Sequence, residues 1–304
     1  MSYYSFNKGS FKKTSEKYFN SESQIQELIE KNIDLLYHLQ YVRSEFQLHG
    51  LRVDTLAFDQ LTQSFVIIEY KLNKNFSVID QGFSYLALLL NNKADFILEY
   101  NERNNSYIKK DSVDWSQSKV IFISPSFTTY QKQSTNFKDL PMELWEIKQF
   151  QDNSISLNEL IPTQSAESIK TVSKKNSSFE KVTKEVKKIT EDDHLNRIPE
   201  KIITLYEKLK KTVLDLGGDI SIRPKTIYIG FIRSSNFLDV ILQKSKIILV
   251  LNLKKGTLID PQKLSRDVSH IGHWGNGDYE IHLSSDKKLD YVISLIKQAY
   301  QKSI

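Results

Sequence analysis

Three charged residues stand inside apolar runs of the stretch LRVDTLAFDQLTQSFVIIEYKL, Leu51 to Leu72: Asp54, Glu69 and Lys71. An unpartnered charge is expensive to bury, so each needs a reason. Alternation along a strand puts Glu69 and Lys71 on the same face as Phe65 and Ile67. The polar stretch from Asp59 to Ser64 turns the chain. A hairpin symmetric about Leu61 and Thr62 pairs Phe58 with Phe65 and sets Asp54 directly opposite Glu69. Two carboxylates that close repel each other, and a divalent cation between them removes the conflict. Hard cations such as Mg²⁺ prefer oxygen donors. Lys71, next along the face, can hold a phosphate or orient a water. A slip of one residue would send Asp54 to the other face.

Other groups can join this set. With Ile29 at the centre of a helical stripe and about 100° per residue, Glu22 falls about 20° away, whereas Glu30 at about 100° and Glu27 at about 160° face water. Glu22 is the candidate third acid, or simply a favourable charge near a helix N-terminus. Gln81 and Tyr85 share one helical face at i and i+4. They suit a phosphate or a base edge, or are a half-buried tyrosine beside a satisfied amide.

The elements that must position these residues follow from the patterning. Ser21 or Ser23 caps a helix to about Tyr37, with Ile25, Leu28, Ile29, Ile33 and Leu36 as its apolar stripe. Strands are expected near 41–47, 52–59 and 65–72. Ser77 and Asp80 form a capping pattern for a helix that stops at Asn91 and Asn92. Further strands are expected at 95–100, 119–124 and 143–150. This order gives an α/β or α+β arrangement, a sheet flanked by helices.

The 304 residues are enough for two domains, and 39% hydrophobic with 26% charged residues describe a globular chain. No apolar run is long enough to span a membrane. The N-terminal residues lack the apolar core of a signal peptide. Zero cysteines exclude disulfides and thiolate zinc sites, and a cytoplasmic location is expected. Residues 1–160 carry 17 Lys+Arg against 20 Asp+Glu, and residues 194–304 carry 18 against 11. The C-terminal part is therefore the basic one. We divide the chain into 1–160, a Ser- and Lys-rich connector 161–193 and 194–304. The connector contains a short amphipathic helix on Phe179, Val182, Val186 and Ile189.

The motifs VDTLAFD, FVIIEYKL and QGFSY, with the opening helix SESQIQELIEKNIDLL, resemble the PD-(D/E)XK nucleases, in particular their RecB-type and NucS-like branches. The resemblance covers roughly residues 20 to 150. Val53 stands where the name-giving proline would be, a departure that many relatives share. The resemblance implies a restriction-endonuclease-like mixed sheet and a Mg²⁺- or Mn²⁺-dependent nuclease acting on nucleic acid, DNA in the first instance, in repair or in defence against foreign DNA. Asp54, Glu69 and the Tyr70 carbonyl would be metal ligands. Lys71 would position or activate the attacking water, and Gln81 and Tyr85 would support the site. A homodimer would suit cutting of both strands. The alternative is a protein that keeps this fold without catalysis and binds nucleic acid or a partner.

In the C-terminal part a helix is expected from Ile198 to Leu216, with strands at 226–232, 237–242 and 246–253 and a last helix from about Lys287 to Tyr300. The signature HIGHWGNGDYEIHL resembles a domain family of unknown function that closes many bacterial chains. His270, His273 and Asp278 suggest a metal, but a glycine-rich turn explains them more simply, and Trp274 reads as a core or loop anchor. Arg223, Lys225, Arg233, Lys244 and Lys246, with Tyr228, Phe231 and Phe237 near them, make a candidate basic face for nucleic acid.

Overall fold

The computed structural model describes residues 3–7, 9–60, 62–73, 76–163, 165–169, 177–186, 189–196, 198–270 and 277–303. The chain divides into two units, Met1–Lys188 and Ile189–Ile304. Both mix helices with sheet. No helix of the described residues is long and apolar enough to cross a membrane.

In the first unit the strands are β1 (Tyr3–Asn7), β2 (Ser10–Thr14), β3 (Glu16–Lys17), β4 (Gln40–Leu48), β5 (Leu51–Asp59), β6 (Ser64–Tyr70), β7 (Lys119–Ser124), β8 (Met142–Phe150) and β9 (Ile155–Glu159). The helices that matter for the site are α1 (Glu22–Glu30), α2 (Ile33–Tyr37), α3 (Val78–Asn91) and α4 (Lys93–Asn104). Seven strands form a mixed sheet in the order β3-β8-β7-β6-β5-β4, with β9 on the free side of β8. Strands β4, β5 and β6 are an antiparallel meander, while β6, β7 and β8 run parallel. Parallel neighbours need crossover connections, and α3 and α4 lie in the first of them.

β6 is buried along its whole length, which is why its sequence reads as one apolar run rather than an alternation. Its two faces feed two cores. Phe65 and Ile67 pack with Leu56, Phe58, Val120 and Phe122 beneath α3 and α4. Val66, Ile68 and Tyr70 pack with Ala57, Ile121 and Ile123 beneath Ile25, Ile29, Ile33 and Tyr37 of α1 and α2.

Two expected elements differ. The single helix to Tyr37 breaks after Glu30, because the Asn32 side chain donates to the Leu28 carbonyl (2.8 Å) and so competes with the backbone ladder. The strand expected at 95–100 is part of α4. Phe96 and Tyr100, spaced i and i+4, are both buried, so the short apolar run follows the helical period.

The segment read as a connector divides, with its residues up to 188 in the first unit and 189–193 in the second. Its helix, Ser177–Glu185, stacks Phe179 on Phe83 of α3 with centroids 4.1 Å apart, and Ile169, Val182 and Val186 enter the α3-side core. Phe83 lies two residues from Gln81, so this helix braces the stretch of α3 that faces the candidate site.

The second unit sets the helices Glu200–Leu214 and Leu289–Lys302 with an antiparallel sheet of β10 (Ser221–Pro224), β11 (Ile229–Ile232), β12 (Asn236–Leu242), β13 (Ile247–Leu251), β14 (Arg266–Asp267) and β15 (Tyr279–Leu283), in the order β10-β11-β12-β13-β15-β14. Tyr206, Phe231, Phe237 and Ile296 fill its core. A Cβ on Gly277 would sit 1.7 Å from the Leu251 carbonyl oxygen, so this position tolerates only glycine. Asp278 accepts the Lys255 N–H (2.7 Å), and His270 Nε2 lies 3.2 Å from Lys255 Nζ. Gly272, His273, Trp274 and Gly275 lie outside the described residues.

Candidate active site

The hairpin register places the acids together. Phe58 pairs with Phe65, Ala57 with Val66, Leu56 with Ile67 and Thr55 with Ile68. One step further, Asp54 stands across from Glu69. Both are buried, 8% and 2% exposed. The Tyr70 N–H donates to Asp54 Oδ2 (3.1 Å), tying the two strand ends where regular pairing stops.

Glu69 is held on one side only. Its Oε1 accepts from Lys71 Nζ (2.6 Å) and Gln81 Nε2 (2.8 Å). Its Oε2 is buried and has no hydrogen-bond partner. Gln81 Nε2 also donates to the Tyr85 hydroxyl (3.1 Å), which donates in turn to the Arg52 carbonyl (3.0 Å). A chain of hydrogen bonds therefore runs from β5 through α3 to the end of β6. The Lys71 ammonium lies 5.9 Å from the Phe76 ring centroid, and the Lys71 N–H donates to the Ile123 carbonyl (2.9 Å) of β7. Met142 presses on α3 at Gly82, where a Cβ would lie 2.5 Å from its sulfur. The missing side chain lets the helix carrying Gln81 approach the sheet.

The electrostatics follow from this packing. Burial first, and then the Glu69 charge, push the Asp54 carboxyl from 3.8 up to about 7, against the opposing pull of the Tyr70 N–H and Lys71. Burial and the Glu69 charge likewise raise the Tyr85 phenol. With both carboxyls ionised the pair carries more negative charge than Lys71 offsets, and Glu69 Oε2 is orphaned. A small hard dication meets both demands. Asp54, Glu69 Oε2 and the adjoining Tyr70 carbonyl are all oxygen donors, so this donor set fits Mg²⁺ or Mn²⁺.

Glu22 is not gathered into this set. Its Oε1 accepts the Leu72 N–H (2.8 Å), so it anchors the backbone just beyond Lys71. Among the described residues no group of three or more acidic or histidine side chains is placed to hold a metal. Glu30, expected to face water, is half-buried and accepts from Thr55 Oγ1, from Ser44 Oγ (2.6 Å) and from Gln26 Nε2 (3.0 Å). Gln26 Nε2 also donates to the Asp54 carbonyl (2.9 Å), and Thr55 Oγ1 lies 3.0 Å from the Tyr70 hydroxyl. Thr55 and Tyr70 directly follow Asp54 and Glu69, on the opposite face. Glu30 thus clamps the same two strand ends from below. The signal in the sequence was Glu22, Gln26 and Glu30 recurring at i, i+4 and i+8.

The basic residues of the second unit do not form one face. Arg233 lies between β11 and β12, is paired with Asp219 (Nε–Oδ2 2.6 Å) and is stacked 4.5 Å over the Tyr300 ring. Lys225, Lys244 and Lys246 lie at the other end of the sheet, where Lys246 Nζ is 3.2 Å from His282 Nδ1. Arg223 is on the edge strand β10. Tyr228, Phe231 and Phe237 are 8%, 0% and 0% exposed, so no base can stack on them. Alternation along these strands turns their aromatic residues into the core.

Residues 191–303 match the model of a domain of unknown function, DUF5655. Over 299 residues the chain is 47% identical to an uncharacterized protein of Haemophilus influenzae, covering 98% of this chain and 99% of that one. The chain belongs to the same family as that Haemophilus protein. Two solved structures, a repair endonuclease from Pyrococcus abyssi and an EndoMS–dsDNA complex, each align with 40% of this chain and 44% of their own at 18% identity and a TM-score of 0.23. This chain thus spans less than half of their length, and a likeness of that score carries no argument.

Proposed function

We propose that the first unit is a PD-(D/E)XK-type nuclease that hydrolyses phosphodiester bonds, with DNA as its substrate, in repair or in defence against foreign DNA. The observation that carries this reading is the buried Asp54–Glu69 pair with the orphaned Glu69 Oε2 beside Lys71. Asp54, Glu69 and the Tyr70 carbonyl would hold Mg²⁺ or Mn²⁺. When bound, such an ion acidifies a water and offsets the charge that develops on the phosphate.

The chain's own groups do the rest. Lys71 sets a positive charge at the mouth of the pair and orients the attacking water or a non-bridging phosphate oxygen. Gln81, held by Tyr85, fixes Glu69 in one rotamer so that Oε2 stays presented. The Tyr70 N–H fixes Asp54, and Gln26 and Glu30 hold the strand ends from the opposite face.

The test is a cleavage panel of linear, tailed, branched and modified DNA, with an RNA arm, in Mg²⁺, Mn²⁺ or EDTA. The wild type should cut at least one substrate only with metal, and Glu69→Ala and Lys71→Ala should cut none while remaining folded. Equal cleavage by all three proteins would refute the assignment.

A further inference from the structure

The first unit is acidic through its middle and lysine-rich at both ends, with seven lysines against three glutamates in residues 161–188. Residues 1–20 contain four lysines and one glutamate, whereas residues 21–160 contain 13 basic and 19 acidic residues. Within this stretch β1 and β2 form a two-stranded hairpin that, among the described residues, pairs with no other strand. One side of it is anchored: the Tyr3 ring packs on Phe150 of β8 (centroids 4.2 Å apart), and its hydroxyl lies 3.4 Å from Ser156 Oγ.

The other side is open. Tyr4 pairs with Lys13 and Phe6 with Phe11, so alternation puts these four on one face. The rings form a ladder, with Phe11 6.5 Å from Tyr4 and 5.1 Å from Phe6. They are 55%, 66% and 75% exposed for Tyr4, Phe6 and Phe11. A lone hairpin is marginally stable in water, so three rings held out on it with a lysine call for an occupant. Aromatic faces beside an ammonium group are what unpaired bases and their phosphates require.

The hairpin also stands at the right end of the sheet. Tyr70 is level with Ile123, and Ile123 with Trp145, across parallel strands. Phe150 lies five residues further along β8, in the direction in which β6 leads to Lys71. At strand spacings of about 4.8 Å and a rise of about 3.3 Å per residue, the hairpin's anchor is roughly 19 Å from the end of β6.

We propose that the outer face of this hairpin, Tyr4, Phe6, Phe11 and Lys13, is a stacking platform for a single-stranded stretch of nucleic acid. The substrate would then be one with an unpaired segment within reach of the scissile bond. The proposal rests on the nuclease reading only for where that bond lies.

The test measures binding of the full chain in EDTA, where nothing is cut, to fluorescein-labelled oligo-dT, oligo-U and a mixed-sequence duplex, with sedimentation run in parallel. Phe6→Ala combined with Phe11→Ala leaves the Tyr3 anchor intact. It should weaken single-strand binding by about tenfold or more and duplex binding far less. Lys13→Ala should reduce the slope of log affinity against log salt by roughly 0.7.

Unchanged single-strand affinity in the double variant, or no single-strand binding by the wild type, overturns the proposal. So does loss of self-association with affinity unchanged, which would make the face a contact between copies of this chain. Cleavage in Mn²⁺ separates the two readings. A double variant that binds and cuts like the wild type leaves the nuclease standing without the platform. Hairpin-dependent binding with no substrate cut leaves the platform without the nuclease.

Discussion

Replacing Asp54 by Asn should stabilise the protein at neutral pH while abolishing its proposed function. The Asp54 carboxyl moves from 3.8 in the unfolded chain to about 7 in the fold. At about 1.4 kcal/mol per pH unit, ionising it in the fold costs up to roughly 4 kcal/mol. Burial is the larger cause, and an amide also loses hydration on burial, so we expect a gain of about 1–3 kcal/mol. Asn keeps an oxygen to accept the Tyr70 N–H. For a unit of this size that gain raises the melting temperature by roughly 2–12 °C. The sign follows from linkage. Below about pH 4 the carboxyl is protonated in both states and contributes nothing. From about pH 4 to 7 the unfolded chain ionises while the fold resists, so wild-type stability falls as pH rises. Above about pH 7 the penalty is constant. Thermal scans of both proteins from pH 4 to 8 in EDTA should therefore place the variant level with or slightly below the wild type at the acid end and shift the difference in its favour through that window. Mg²⁺ should raise the wild type and leave the variant unmoved. A variant less stable than the wild type at pH 8, or a difference that does not vary with pH, would show that the buried Asp54 carboxyl is not destabilising the fold.

Other perturbations test the supports. Glu30→Gln keeps the shape of the lower clamp but loses its charge-assisted hydrogen bonds, so it should cost about 1–3 kcal/mol in urea unfolding and weaken Mn²⁺ binding measured by calorimetry. Tyr85→Phe removes the link between Gln81 and the Arg52 carbonyl, and kcat for cleavage should fall roughly tenfold with KM little changed. Phe179→Ala strips the stack on Phe83 and should destabilise the first unit by about 1–3 kcal/mol, read as faster hydrogen exchange in α3. Lys71→Met should leave Mn²⁺ binding intact or tighter, because it removes a competing cation, yet stop cleavage.

Much of the site was legible because it rests on local rules. The turn after Asp59 and the period of two fixed the register that brings Asp54 to Glu69. Ser77 announced α3 and thereby the Gln81–Tyr85 face. The parts that escaped depend on competition or on distant packing. Asn32 broke a helix whose apolar stripe continues past it. The run around Phe96 is too short to separate the two periods. Glu30 lies well off the centre of the α1 stripe, and the hydroxyls of Ser44 and Thr55, from two other strands, join the Gln26 amide in making burial of its carboxylate tolerable. The aromatics of the second unit looked available beside their lysines until pairing of β11 with β12 turned Phe231 and Phe237 inward.

Metal binding at the Asp54–Glu69 pair can be read from an anomalous difference map of crystals soaked in Mn²⁺. A peak is expected at the Asp54 and Glu69 carboxylates, absent in Glu69→Gln crystals treated alike. A well-ordered pair with no peak at saturating Mn²⁺, or an equal peak in the variant, would contradict it.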